Sequence, residues 1–122
     1  GATRVGVVTP YPELADKAVA AFFDEIGITL LAQKSLRATS ASAIGEIAPA
    51  AIRQAMRDAA VPGAQAIVTL GTDLRISRIA AQAEDWLGLP TVAVNAATWW
   101  YALRGMGVQT KLDDWGVLLR EH

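Results

Sequence analysis

The stretch AIVTLGTDLR, Ala66 to Arg75, decides how this chain folds. Its apolar or β-branched residues, Ala66 to Leu70, run without alternation into Gly71-Thr72-Asp73 and then into a helical pattern. A run of that kind suits a strand covered on both faces, as in a parallel sheet. A strand that ends in a short glycine loop and passes the chain to a helix forms the junction where open α/β sheets hold their ligands.

Three other runs share this character: Val5–Val8 (VGVV), Ile28–Leu31 (ITLL) and Thr91–Val94 (TVAV). Helical patterns separate them. Over Pro12–Ile26, Leu14, Ala18 and Phe22 recur at four-residue spacing, with Val19, Phe23 and Ile26 widening the stripe. A second helix is expected from Ile47 to Ala60, stopping before Pro62-Gly63, with Ile47, Ala51, Ala55 and Ala59 on one face and Ile52 and Met56 beside them. A third, Leu74–Leu87, would turn Leu74, Ile79, Ala83, Trp86 and Leu87 inward and stop at Gly88; a fourth, Ala97–Arg104, ends at Gly105. Strictly alternating strands and helices predict a flavodoxin-like, doubly wound open sheet of about four parallel strands in three α/β/α layers, with right-handed crossovers. Lys34–Ala43 reads as a polar loop. Gln109–His122 has no clear assignment, although Trp115–Leu119 suggests a short strand or helix packing elsewhere.

A length of 122 residues fits a single domain able to bury a real core. The 52% hydrophobic content is high for that size, so part of the apolar surface is expected to face a partner or a second domain. Net charge is −1, with no basic stripe, which argues against nucleic acid as a partner. The chain has no cysteine, which excludes disulfides, thiolate metal sites and a cysteine nucleophile here. No apolar run approaches a membrane span and no signal-peptide pattern opens the chain, so a cytoplasmic protein is the default expectation.

In a parallel sheet the four strands end at one edge. The junctions there are Thr9-Pro10-Tyr11, Ser35–Ala43, Gly71-Thr72-Asp73 and Asn95-Ala96-Ala97. Each precedes a helix start, so orphan backbone N–H groups converge on one crevice, an environment for an anion of carboxylate size. Thr9 and Tyr11 each precede a proline, which stiffens the first junction and holds a phenol at a strand tip. Tyr11 either presents that phenol to the crevice or packs on the loop with its hydroxyl in water. Asn95, the only asparagine, is expected to cap the following helix or aim its amide into the crevice, roles that are compatible. Thr72 and Asp73 read as caps of the third helix, with Asp73 a poor choice for a catalytic acid. Arg75 and Arg78 either assist anion binding or are solvated or paired with Glu84 or Asp85. Trp99-Trp100 reads as core and interface, and His122 as a disordered end. Gly105-Met106-Gly107 follows a helix, not a strand, and is no dinucleotide loop.

Three segments carry a family resemblance: RVGVVTPYPELADKAVAAFFDEIGI, AIVTLGTDLRISRIAAQAEDWLGLP and TVAVNAATWWYALRGMGV. Together they resemble the C-terminal half of the Asp/Glu/hydantoin racemase superfamily, in its maleate cis-trans isomerase and arylmalonate decarboxylase branch. The resemblance implies a cofactor-independent, metal-free enzyme of two similar α/β halves, with substrate carboxylates between them. This chain would then be the C-terminal half, residues 1–122 forming one domain beside an N-terminal sister domain, in a homo-oligomer. Substrate binding would fall to Thr9, Pro10, Tyr11, Gly71, Thr72, Asn95 and Ala96, with Tyr11 orienting the substrate by hydrogen bonding. The resemblance also implies a thiol at the tip of the third strand. Here Gly71 occupies that place, so a two-cysteine proton transfer is excluded unless the other half supplies both groups. A one-cysteine mechanism with the thiol in the other half survives, as does a carboxylate-binding or regulatory module without catalysis. A receiver-type domain would need acidic residues where Thr9-Pro10 and Leu70-Gly71 stand, and is set aside.

Overall fold

The computed structural model describes all 122 residues. Strand β1 (Arg4–Thr9) leads through a single 3-10 turn into α1 (Asp16–Glu25), and β2 (Thr29–Ser35) is followed by the short α2 (Ala41–Ile44) and by α3 (Pro49–Ala59). Then come β3 (Ala66–Thr69), α4 (Ser77–Leu87), β4 (Thr91–Ala93), α5 (Val94–Gly105) and the terminal α6 (Val117–Glu121). All strands are parallel, in the order β2-β1-β3-β4, so β1 and β3 are central. This is the doubly wound α/β arrangement expected from the unalternating apolar runs.

Helices cover both faces, but unequally. On one face α3, α4, α5 and α6 build the main core around Val8, Ile52, Met56, Ile67, Ile79 and Leu119. On the other, α1 alone supplies Val19 and Phe23 against Val5, Val7 and Ala66. The consequence shows along β3 and β4: Ile67, Thr69, Thr91 and Ala93 on the main-core face are buried, while Val68 and Val92 on the α1 face are only half-buried.

Proline at the first position of α3 presets its entry, and Ile52, Ala55, Met56 and Ala59 then fall on one stripe and are buried. Complete burial of a side chain such as Met56 contributes roughly 2 kcal/mol. Gly6 lets α3 close on the sheet, because a Cβ there would stand 2.1 Å from the carbonyl oxygen of Ala59.

Three expectations need correction. Helix α1 turns Val19 and Phe23 to the sheet, whereas Leu14 and Phe22 are 92% and 52% exposed. Leu14 and Phe22 belong to an adjacent helical stripe about 100° away, and the sheet can cover only one stripe. Trp86 is partly exposed rather than inward, its ring lying under the Arg57 guanidinium at 4.7 Å. The C-terminal segment, left without assignment, is a short helix packed on the domain: Leu119 enters the main core, and Arg104 Nε donates to the carbonyl of His122 at 2.8 Å.

Candidate functional site

Parallel pairing delivers every strand's C-terminal end to one edge of the sheet. Thr9 and Pro10 are buried there. The Thr9 carbonyl accepts the amide of Leu36 at 2.8 Å, and the Pro10 carbonyl accepts that of Ala38 at 2.9 Å. The Ser35 hydroxyl donates to the Tyr11 carbonyl. The loop after β1 is thus laced to the loop after β2 through three successive carbonyls. The Tyr11 ring is half-buried against the α1-side core, so much of this side chain packs as a hydrophobe.

Gly71, at the tip of β3, is buried with φ of +95°. A Cβ there would stand 2.4 Å from Cγ and 2.7 Å from Cδ of Pro10. Glycine is therefore required twice over, by the backbone conformation and by the proline ring. The amides of Gly71, Thr72 and Asp73 donate to no acceptor within the chain. Successive free N–H groups in a turn make a concavity suited to an anion. The Gly71 carbonyl accepts from the Leu74 amide at 3.2 Å, which closes the turn.

Neither Thr72 nor Asp73 caps α4, which begins at Ser77 behind Ile76 with no side-chain cap. Leu74 and Ile76 are almost fully buried, and anchoring both holds the chain in an irregular turn before the helix starts. Asn95 is no cap either, since α5 begins one residue before it with Ala93 in the cap position. From the first turn of α5 its amide nitrogen reaches the Thr72 carbonyl at 2.8 Å. Asn95 thereby fixes the Gly71–Asp73 turn against the last strand, with Ala96 buried beside it. Two more features sit below this edge: the hydroxyls of Thr9 and Thr69 are buried without a hydrogen-bond partner.

Arg75 and Arg78 are exposed and form no ion pair with Glu84 or Asp85. Glu84 instead accepts the amides of Thr91 at 3.2 Å and Val117 at 2.8 Å, tying α4 to β4 and α6. Arg78 lies over the Trp115 ring at 5.3 Å. Between the β3–α4 loop, α5 and the C-terminal segment opens a cavity of about 690 Å³, lined on its apolar side by Trp99, Leu103, Leu112, Trp115 and Leu119. Sequence reasoning missed it because three of those five residues lie in the segment it left unassigned. The available signal was the four-residue spacing of Trp115 and Leu119.

A family model described as arylmalonate decarboxylase matches residues 1–119. Among solved structures, a maleate cis-trans isomerase from Nocardia farcinica carrying a covalently bound succinylcysteine intermediate superposes with a TM-score of 0.93 at 24% identity, over 99% of this chain and 50% of that one. A double mutant of arylmalonate decarboxylase in liganded form gives 0.91 at 26% identity, over 100% of this chain and 53% of the other. The maleate isomerase from Pseudomonas putida S16 gives 0.91 at 23%, covering 99% and 49%. The two isomerases, at such identity, speak for the fold alone. The chain spans about half the length of these structures. A search of curated proteins gives no match.

Proposed function

The chain belongs to the arylmalonate decarboxylase family, and from that premise we propose that it is the carboxylate-binding half of a cofactor-independent racemase, isomerase or decarboxylase acting on small carboxylates or dicarboxylates. The observation that carries this reading is the Gly71–Asp73 turn, with three free amides at a strand tip and its Thr72 carbonyl held by Asn95. A carboxylate oxygen seated there accepts from the backbone, and such charge-assisted bonds are the stronger kind. Tyr11, on the neighbouring loop, orients the substrate. Thr9, Pro10 and Ala96 shape the floor.

Proton transfer or nucleophilic attack needs a group that this turn lacks. The Nocardia farcinica relative carries its intermediate on a cysteine, and this chain contains none. The reactive thiol in our reading lies in an N-terminal sister domain that closes over the same edge. This assignment agrees with the chain spanning about half the length of its structural relatives. A second reading, a carboxylate-binding or regulatory module without catalysis, is favoured by one observation: the Pro10 ring leaves no room for a side chain at position 71.

Two measurements decide between them. Malonate is expected to raise the melting temperature of the present chain, and the protein encoded with its upstream sequence is expected to turn over maleate, an arylmalonate or an amino dicarboxylate. Stabilisation without turnover in that longer protein selects the binding module. Absence of any stabilisation by malonate overturns both.

A further inference from the structure

Just past the end of β2, at the edge where all the strands end, Arg37 has φ of +50° and is the only residue other than glycine with positive φ. Its neighbours hold it there. The Leu36 amide donates to the Thr9 carbonyl at 2.8 Å and the Ala38 amide to the Pro10 carbonyl at 2.9 Å, so the backbone on both sides of Arg37 is tied to the end of β1 and its loop. Glycine at this position would keep both bonds without the conformational cost that a Cβ brings. The local fold therefore asks for a left-handed residue, and an arginine side chain goes beyond that need. Its own ion pair does not account for it. Glu13 lies 3.5 Å away, the two side chains are 66% and 73% exposed, and a solvated pair of this kind stabilises little. A strained residue beside a binding edge points to function.

We propose that Arg37 is a specificity-determining residue of the carboxylate site, receiving the second charge of a dianionic ligand whose first carboxylate is seated on the Gly71–Asp73 turn. The proposal rests on the reading of that turn as a carboxylate seat. Pro10 joins the two places, because its ring is packed against Gly71 while its carbonyl accepts the amide next to Arg37. The turn offers neutral backbone donors, whereas the guanidinium offers a full charge and a planar fork that matches a carboxylate. A monoanion uses the turn alone, and a dianion uses both. Glu13, on the 3-10 turn leading into α1, is the resting partner of the guanidinium. Because that pair is solvated, exchanging its carboxylate for one of the ligand's costs little. With the backbone anchored on both flanks, the exposed side chain is the only part that has to move.

The test is a pair of titrations followed by backbone amide signals in a two-dimensional NMR spectrum, one with succinate and one with propanoate, its counterpart lacking a carboxylate. Both acids are expected to move the Gly71–Asp73 amides, with succinate binding about tenfold tighter. Arg37→Gln, which keeps the length of the side chain and removes its charge, is expected to bring succinate to within about twofold of propanoate and to leave propanoate unchanged. Arg37→Gly is expected to lose the same preference while its melting temperature stays level or rises, since glycine accepts the left-handed backbone. A damaged fold cannot produce that combination. Glu13→Gln, which removes the resting partner, is expected to tighten succinate, and a weakening there counts against the proposal. Lys17→Gln removes the same charge from α1 and is expected to leave the preference intact. The proposal is overturned if the parent shows no preference for succinate, if the preference survives both Arg37 variants, or if Lys17→Gln abolishes it equally. Amides at Gly71–Asp73 that respond to propanoate while Arg37 makes no difference sink this proposal alone. Amides that respond to neither acid remove the carboxylate seat and the proposal with it.

Discussion

At Gly71 two independent constraints meet, a φ of +95° and a proline ring 2.4 Å from where a Cβ would lie. Left-handed backbone costs a residue with a side chain about 1–2 kcal/mol, and the collision adds to it. Gly71→Cys is therefore expected to lower stability by about 2–4 kcal/mol in urea unfolding, and Pro10→Ala in the same molecule to return part of that loss. A Gly71→Cys protein as stable as the parent would show that the turn yields easily, and would weaken the case for a position committed to glycine. The orphan hydroxyls of Thr9 and Thr69 make the opposite prediction. Replacing either by valine keeps the shape and removes a buried unpaired donor, so stability should stay level or rise by up to about 1 kcal/mol. A clear loss of stability on Thr69→Val would mean that the hydroxyl has a partner in solution. The residue types at this edge were legible in the sequence, since Thr9-Pro10-Tyr11, Gly71 and Asn95 all fall where strands end. Their contacts were not, because the Gly71–Pro10 approach joins two loops far apart in the chain.

Elements are held together here by single polar side chains that reach backbone groups of a neighbour. Asn95 ties α5 to the β3–α4 loop, and Asn95→Ala should cost about 1 kcal/mol in unfolding free energy while weakening malonate binding through a loosened turn. Equal malonate affinity in that variant would separate Asn95 from the site. Glu84 performs a larger task, accepting two amides from β4 and α6 with a side chain only 11% exposed. Glu84→Ala is expected to cost about 2 kcal/mol and to release the C-terminal segment, seen as faster proteolysis after Gly107 and loss of protection at the Val117 amide. Element types were readable from periodicity, yet their capping was not. Asp73 and Thr72 look like caps on paper, and the buried pair Leu74 and Ile76 displaces the start of α4 to Ser77. Packing of two large apolar side chains outweighs a cap worth about 1 kcal/mol. The same competition explains α1, where one sheet face can accept Val19 and Phe23 or the stripe through Leu14 and Phe22, but not both.

Across the whole molecule the unequal dressing of the sheet has a consequence for association. The main-core face carries four helices, whereas the other carries α1 alone, beside half-buried Val68 and Val92. Leu14, Phe22 and Ile26, at 92%, 52% and 50% exposure, extend that apolar region along the outside of α1. The high hydrophobic content therefore does not all go into the core: part of it stays exposed along this helix, and another part on and just after α5, at Trp99, Tyr101 and Met106. Exposed large apolar groups gathered on one side mark an interaction surface more often than a chance distribution does. In our reading this surface meets a second copy of the chain or the sister domain, and in the isolated protein only the second copy is available. Sedimentation is thus expected to show a concentration-dependent species heavier than the monomer. Leu14→Glu with Phe22→Glu should shift it to monomer, and because Leu14 is exposed and Phe22 only edges onto Phe23 from outside, the unfolding free energy in urea should fall by no more than about 1–2 kcal/mol. A monomer at every concentration, or a double variant that associates as strongly as the parent, would remove this face as the site of association. Loss of folding in the double variant would instead show that α1 relies on its outer stripe, contrary to the burial of Val19 and Phe23.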